Sequence, residues 1–395
     1  MPTPPDHTAL QPLAYHRAIV DYLRQHEAAV WQWAGTRSLH GEGLDSLRAM
    51  LLRDTYRIDE AAHPDVHAQL ALAMQRLGIN APATLYQSPG QEMNASLIHV
   101  PGELHILLQG PLLERLSGEE LLAVFGHELS HYLLWSCEAG DFLRADRILN
   151  DALGASGSPS HHETCRRYML HTELFADRGS AIAAGGIAPA ITALVKVQTG
   201  ISKVDAAAYL RQAAEIEASE ASASAARSHP ETFIRARALA LWWDDAAALE
   251  PWLATRLHGP LALAQLDLPG QRQLQALTRG FLSHFLAGTA LASDAVQAQV
   301  RLMFPDWQAN EPAAALAAFG PEQADDSVRD YLNALMLDLA LADPDQQDAA
   351  LLRAGQLARE LGSLEALQRN LRRDAGFGKR ELDRFKRQLD REAKA

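Results

Sequence analysis

Two histidines bracket a glutamate in Gly126-His127-Glu128-Leu129-Ser130-His131. On a helix, residues four apart project from one face, about one turn apart. The imidazoles of His127 and His131 can therefore grip one Zn²⁺ together. Glu128 lies on the adjacent edge, where it can take a proton from a water at the metal. The chemistry such a set supports is metal-assisted hydrolysis. A helix must position it, and the flanking sequence supplies one. Ser117 followed by Glu120 is a capping-box pattern, which predicts a helix start near Gly118. Leu121, Leu122, Val124, Phe125, Leu129, Leu133, Leu134 and Trp135 make that helix apolar, so it should be buried. Three ionisable side chains on a buried helix need a reason to be there.

The third ligand separates classes of zinc hydrolase. A metzincin site would need a glycine and a third histidine where this chain has Leu134 and Cys137, so that reading fails. A His₂Glu site needs a downstream glutamate on a second helix. Glu173, in His171-Thr172-Glu173-Leu174-Phe175-Ala176-Asp177-Arg178, is the best placed. Asp177 shares its helix face and can accept the other ring N–H of a ligand histidine, fixing tautomer and orientation. His161, His162, His171 and Cys137 are alternative ligands by residue type, read instead as surface, supporting or buried structural groups.

The motif around His127, followed by Glu173-Leu174-Phe175-Ala176-Asp177-Arg178, resembles the HtpX and CAAX-prenyl-protease family of gluzincin zinc metallopeptidases. Asn94-Ala95 before the active helix is similar to that family too, as is Ser228-His229-Pro230 with Arg235 and Leu239 after it. The resemblance spans roughly residues 65–245. It implies His127, His131 and Glu173 as zinc ligands, Glu128 as general base and Asp177 as support for a ligand histidine. It further implies His229 as a donor to the oxyanion and Arg235 as a partner of the ligand carboxylate or the substrate backbone. Asn94 and Ala95 would contact substrate. Several members of the family are integral membrane enzymes, whereas this sequence has no run of about twenty apolar residues.

A chain of 395 residues is long enough for two or three domains. Richness in Ala and Leu with few strand-like runs favours helix. A net charge of −13 argues against nucleic acid or an anionic membrane as a main partner. The start, Met1-Pro2-Thr3-Pro4-Pro5-Asp6-His7, lacks the pattern of a signal peptide, and two cysteines make no disulfide framework. The expectation is a cytoplasmic protein.

Apolar periodicity predicts one helix over 11–34, then helices over 44–54 and 64–77. A strand is expected at 83–87 and a hairpin at 96–100 and 104–108, with the segment near 94–100 offering its edge to an extended peptide. The second ligand helix should run from Ser158 to about Gly185, followed by helix over 187–216. Residues 217–226 are only Ala, Ser and Glu, and read as a lid before His229. Residues 270–390 read as amphipathic helices with a solvated charged tail from Lys379. The acidic turn at 338–345 weakly resembles a TerB-like helical domain, and it lacks the glycine and terminal glutamate of an EF-hand.

The sequence therefore predicts a mainly α protein with a small antiparallel sheet. It divides as an N-terminal helical segment at 1–62 packing on the catalytic core, a gluzincin-type metallopeptidase domain at 63–248 and a helical C-terminal domain at 249–395. The expected activity is zinc-dependent endopeptidase action on peptide or protein substrates. Two alternatives stay open. One is a catalytically idle zinc-site scaffold recruiting a partner through its C-terminal domain. The other is a zinc hydrolase of non-peptide amides.

Overall fold

The computed structural model describes residues 5–36, 42–100, 102–154, 157–219, 231–287, 291–308 and 311–392. They form two compact units, Met1–His258 and Gly259–Ala395. The chain is mainly α-helical, as its composition predicts.

The first unit opens with α1 (Ala14–His26), α2 (Ala28–Thr36), α3 (Glu42–Asp54) and α4 (Pro64–Arg76). The single helix expected over 11–34 is broken at Glu27, whose backbone (φ −126°, ψ 40°) leaves the helical region. Four strands accompany these first helices: β1 (Tyr56–Arg57), β2 (Ala83–Ser88), β3 (Asn94–Val100) and β4 (Glu103–Gln109). The sheet order is β1-β2-β4-β3. The expected hairpin forms as β3 and β4, with Leu97 opposite Ile106. The sheet is mixed rather than wholly antiparallel, because β2 and β4 run parallel, with Leu85 opposite Ile106. β3 is left as an edge strand.

After the short α5 (Leu112–Arg115) come α6 (Gly118–Ser136), α7 (Asp141–Gly154) and α8 (Pro159–Ala184). The capping box at the start of α6 is in place: Ser117 Oγ accepts from the Glu120 N–H and Glu120 reaches back to the Ser117 N–H at 2.7 Å. Lys196 adds a buried ion pair to Glu120 at 2.7 Å. It comes from α9 (Ile187–Thr199), which is separate from α10 (Ala206–Ser219). The continuous helix expected over 187–216 stops at Gly200, whose φ of 73° ends α9. The unit closes with α11 (Thr232–Asp244) and α12 (Ala246–Leu253). The expected lid residues 220–226, and His229 with them, lie outside the described residues.

α6 and α8 form the centre of this unit. Phe125 and Leu129 of α6 and Leu170, Phe175 and Ala176 of α8 are fully or almost fully buried. The two helices touch backbone to backbone. A Cβ on Gly126 would overlap Ala183 and come 2.9 Å from the Gly179 carbonyl oxygen, and a Cβ on Gly179 would overlap Ser130 Oγ. Ser130 cannot swing away freely, because its hydroxyl donates to the Gly126 carbonyl at 2.6 Å. Gly126 lies beside Ala183 and Ser130 beside Gly179, so the helices run antiparallel. α1 and the residues just before it lie against α8, where His16 meets Thr172 Oγ1 at 3.2 Å and Arg178 donates to the Gln11 carbonyl at 2.8 Å.

The second unit contains α13 (Leu268–Leu286), α14 (Asp294–Met303), α15 (Asp326–Leu341), α16 (Gln347–Glu360), α17 (Leu364–Arg373) and α18 (Lys379–Glu392). Phe281, Phe285, Trp307, Phe319, Met336 and Leu357 build its core. The charged tail is not simply solvated, since Leu382, Phe385 and Leu389 of α18 are buried in that core. Their spacing puts them on one helical stripe. The acidic turn closes on itself, with Asp343 accepting from the Asp345 N–H at 3.0 Å.

The close approach of α6 and α8 yields a prediction about stability. Gly179→Ala and Gly126→Ala should each cost ~1–3 kcal/mol through overpacking. Gly154→Ala, where a Cβ meets nothing within 4 Å, should leave the melting temperature nearly unchanged. Thermal unfolding of the three variants tests this.

Candidate metal centre

Three helices and one strand converge on the motif residues. α6 contributes His127, Glu128 and His131, α8 contributes Glu173 and Asp177, α11 contributes Arg235, and β3 lays its edge alongside. All of these side chains line one cavity of about 420 Å³, together with Asn94 and Ala95. His127, His131 and Glu173 each offer a ligand atom, and the three atoms lie within 4.8 Å of one another. His127 Nε2 is 3.5 Å from Glu173 Oε2, and His131 Nε2 is 3.9 Å from Glu173 Oε1. These separations are near those of ligand atoms arranged tetrahedrally around an ion with bonds of ~2.0–2.2 Å.

The tautomer of His127 is fixed from behind. Its Nδ1 lies 3.2 Å from Asp177 Oδ1, so Nδ1–H donates to the carboxylate, and in the neutral ring Nε2 would carry the lone pair that a metal ion needs. Arg235 clamps both carboxylates. Its Nε and Nη2 donate to Asp177 at 2.8 and 2.6 Å, and its Nη1 is 3.1 Å from Glu173 Oε2. The fork of the guanidinium suits this bidentate role, which a lysine could not reproduce. Of the two partners the resemblance offers for Arg235, Glu173 is the one its side chain lies beside.

The balance of charge supports a divalent ion here. Three carboxylates (Glu128, Glu173, Asp177) and one guanidinium (Arg235) sum to −3 + 1 = −2 with neutral imidazoles, all buried or nearly so. A buried excess of two negative charges is costly unless compensated. Without an ion, protons supply part of that compensation. Burial alone would depress His127, but hydrogen bonds to Asp177 and Glu173 outweigh it and raise His127 to about 10. Burial lowers His131 to about 4, helped by the neighbouring His127. Burial lifts the Glu128 carboxyl to about 7, against the pull of His127. Burial also opposes the ionised Glu173, yet Arg235 and His127 hold it well below the usual carboxylate range. A divalent cation between His127, His131 and Glu173 fits both the donor set and the missing charge.

Glu128 sits apart from the three ligands. The backbone N–H of Leu97 in β3 hydrogen-bonds its carboxylate, tying the candidate base to the strand edge. On the far side of His131, Trp135 stands against the ring at a centroid distance of 5.7 Å.

None of the alternative ligands joins the metal-binding group found among the described residues. His161 Nε2 meets Glu27 at 3.0 Å. His162 is exposed. His171 Nδ1 donates to the Arg167 carbonyl at 2.8 Å, while its Nε2 faces His258 Nε2 at 3.4 Å and its ring stacks on Tyr15. Cys137 caps the end of α6 and is a free thiol. Sequence reasoning overlooked two walls of the cavity: Ala190, Ala193, Leu194 and Val197 of α9, and Asp146 of α7. Asp146 carried a readable signal. It follows the apolar stripe of Phe142, Ala145 and Leu149, so an acid there lies on the buried side of its helix.

No helix among the described residues is long and apolar enough to cross a membrane. Comparison with known proteins agrees with the site. Residues 60–135 match the model of peptidase family M48. A stretch of 200 residues is 28% identical to the plastoglobule-localized metallopeptidase 48, chloroplastic, of Arabidopsis thaliana, covering 45% of this chain and 56% of that protein. The chain thus spans little more than half the length of this relative. No solved structure matches it. The segment matched by that family model carries β2, β3, β4 and nearly all of α6 with the His-Glu-x-x-His set, and over this stretch the chain is similar to peptidase family M48.

Proposed function

We propose that the protein is a zinc-dependent endopeptidase whose substrate is an extended peptide lying along β3. The convergence of two imidazoles and a carboxylate within 4.8 Å of one another, with a separate buried glutamate beside them, carries this reading. When bound, the zinc ion supplies Lewis acidity toward a water and a carbonyl oxygen. His127, His131 and Glu173 hold it, and Asp177 keeps His127 in the tautomer that binds. Arg235 holds Glu173 and Asp177 in place.

Glu128 is the general base. It accepts a proton from the attacking water and returns it to the leaving amine as the peptide bond breaks. Its raised affinity for protons suits both of those transfers. The open edge of β3 offers backbone groups to an extended chain, which favours a peptide over a small amide. Asn94 and Ala95 lie at the start of that edge. His229 remains a proposed oxyanion donor by family resemblance. The free thiols Cys137 and Cys165 fit the reducing cytoplasm we propose as its location.

Two outcomes follow. Protein purified without added metal should hold about one zinc per chain by elemental analysis, as a His₂Glu site binds one ion, and Glu173→Ala should lose most of it. Glu128→Gln should keep the zinc while peptide hydrolysis falls by roughly 10²–10⁴-fold, the scale of general-base catalysis. Full activity in Glu128→Gln would sink the mechanism.

A further inference from the structure

The cavity extends to both sides of the metal-binding residues, and the two sides differ in chemistry. Because α6 and α8 are antiparallel, the side before His127 on α6 is also the side after Glu173 on α8. There the wall consists of Val124, Ala193, Leu194 and Val197. The opposite side lies past His131 on α6 and before Glu173 on α8, and is lined by Trp135, Met169, Thr172 and Asp146. One wall is therefore aliphatic. The other is an aromatic and thioether surface carrying a carboxylate.

Among the described lining residues, Asp146 is the one acid outside the metal centre. Its hydrogen-bond partner is Asn150, a neutral amide one turn along α7, and Arg147 acts on it only electrostatically. No ion pair forms at its carboxylate among the described residues. Burial lifts it to about 6, and no cation among the described residues sits on it in the cleft. A buried carboxylate without a counter-ion is costly, and that cost is relieved when a ligand brings the cation. Thr172, which lines the same cavity, is held by its own bonds to the Tyr168 carbonyl at 3.0 Å and His16 at 3.2 Å. The wall is preorganised, and the flat face of Trp135 suits the stem of a long cationic side chain.

We propose that Asp146 is a specificity-determining residue that selects substrates bearing an alkylammonium or guanidinium group on the His131 side of the scissile bond. The α9 wall takes an apolar residue on the other side. This rests on the peptidase reading for its biological sense, but the recognition itself is a binding event. The cation can come from a lysine or arginine side chain within the peptide, or from a free α-amino terminus.

The test uses the full chain carrying Glu128→Gln, supplemented with zinc, so that peptides bind without turnover. One arm is a set of acetylated, amidated hexapeptides in which a single lysine moves through an alanine–leucine background, each beside its norleucine counterpart. The other arm is the norleucine peptides with free amino termini. At one lysine position, or for the free amines, binding should be about tenfold tighter or more, the scale of a charge-assisted hydrogen bond. Adding Asp146→Asn, an isosteric change, should erase that ratio. Preference in the first arm assigns a side chain, and preference in the second assigns the chain terminus. Absence of a preference in both arms, or a preference that survives Asp146→Asn, overturns the proposal. Wild-type hydrolysis of the same peptides is measured in parallel. A lysine preference without hydrolysis leaves the Asp146 assignment standing and removes the peptidase reading instead.

Discussion

Arg235 reaches from α11 into a space already holding two carboxylates and an imidazole, and it is the guanidinium that pairs with both carboxylates. Glu173 and Asp177 share one face of α8, one turn apart, where two negative charges repel and desolvation penalises both. A guanidinium bridging them lets both remain ionised. The two carboxylates can then diverge in role, with Glu173 facing the metal position and Asp177 facing His127 Nδ1. Removing the fork would leave buried charges uncompensated, which is a larger loss than one hydrogen bond. The electrostatics of the whole centre therefore depend on a residue far from the motif in sequence.

A second constraint is distance. Ligands on two different helices can share an ion only if the helices nearly touch. Gly126, adjacent to His127, and Gly179, two residues past Asp177, remove the side chains that would hold α6 and α8 apart. The same contact brings the α8 carboxylates under the imidazoles and leaves room on either side for a cleft. The geometry of the candidate site and core packing are in this respect one arrangement.

Much of this could be read from the residues. The His-Glu-x-x-His helix announced itself through its cap and its apolar composition, and Glu173 and Asp177 through their shared face. The hairpin was legible because its alternation and turn are local. What escaped was non-local. β2 was readable as a strand, but nothing in its own residues says that it pairs parallel to β4. The breaks at Glu27 and Gly200 interrupt otherwise helical composition, and one residue's backbone decides them. The charge count of α18 hid the stripe of Leu382, Phe385 and Leu389. The role of Gly126 as a contact point required knowing what packs against it. Asp146 belongs to no motif, and its helical face alone betrays it; only the packing of α7 beside α6 and α8 turns that face toward the metal position.

The separation of Arg235 from its partners, 58 residues from Asp177 and 108 from His127, has a meaning for biosynthesis. While the chain emerges from the ribosome, α6 and α8 are complete long before α11 exists. During that interval the paired carboxylates have no guanidinium between them, so the ligand set stays solvated or takes up protons. A nascent chain or a fragment ending before Thr232 carries the full motif but not the guanidinium that pairs with Glu173 and Asp177 in the folded chain.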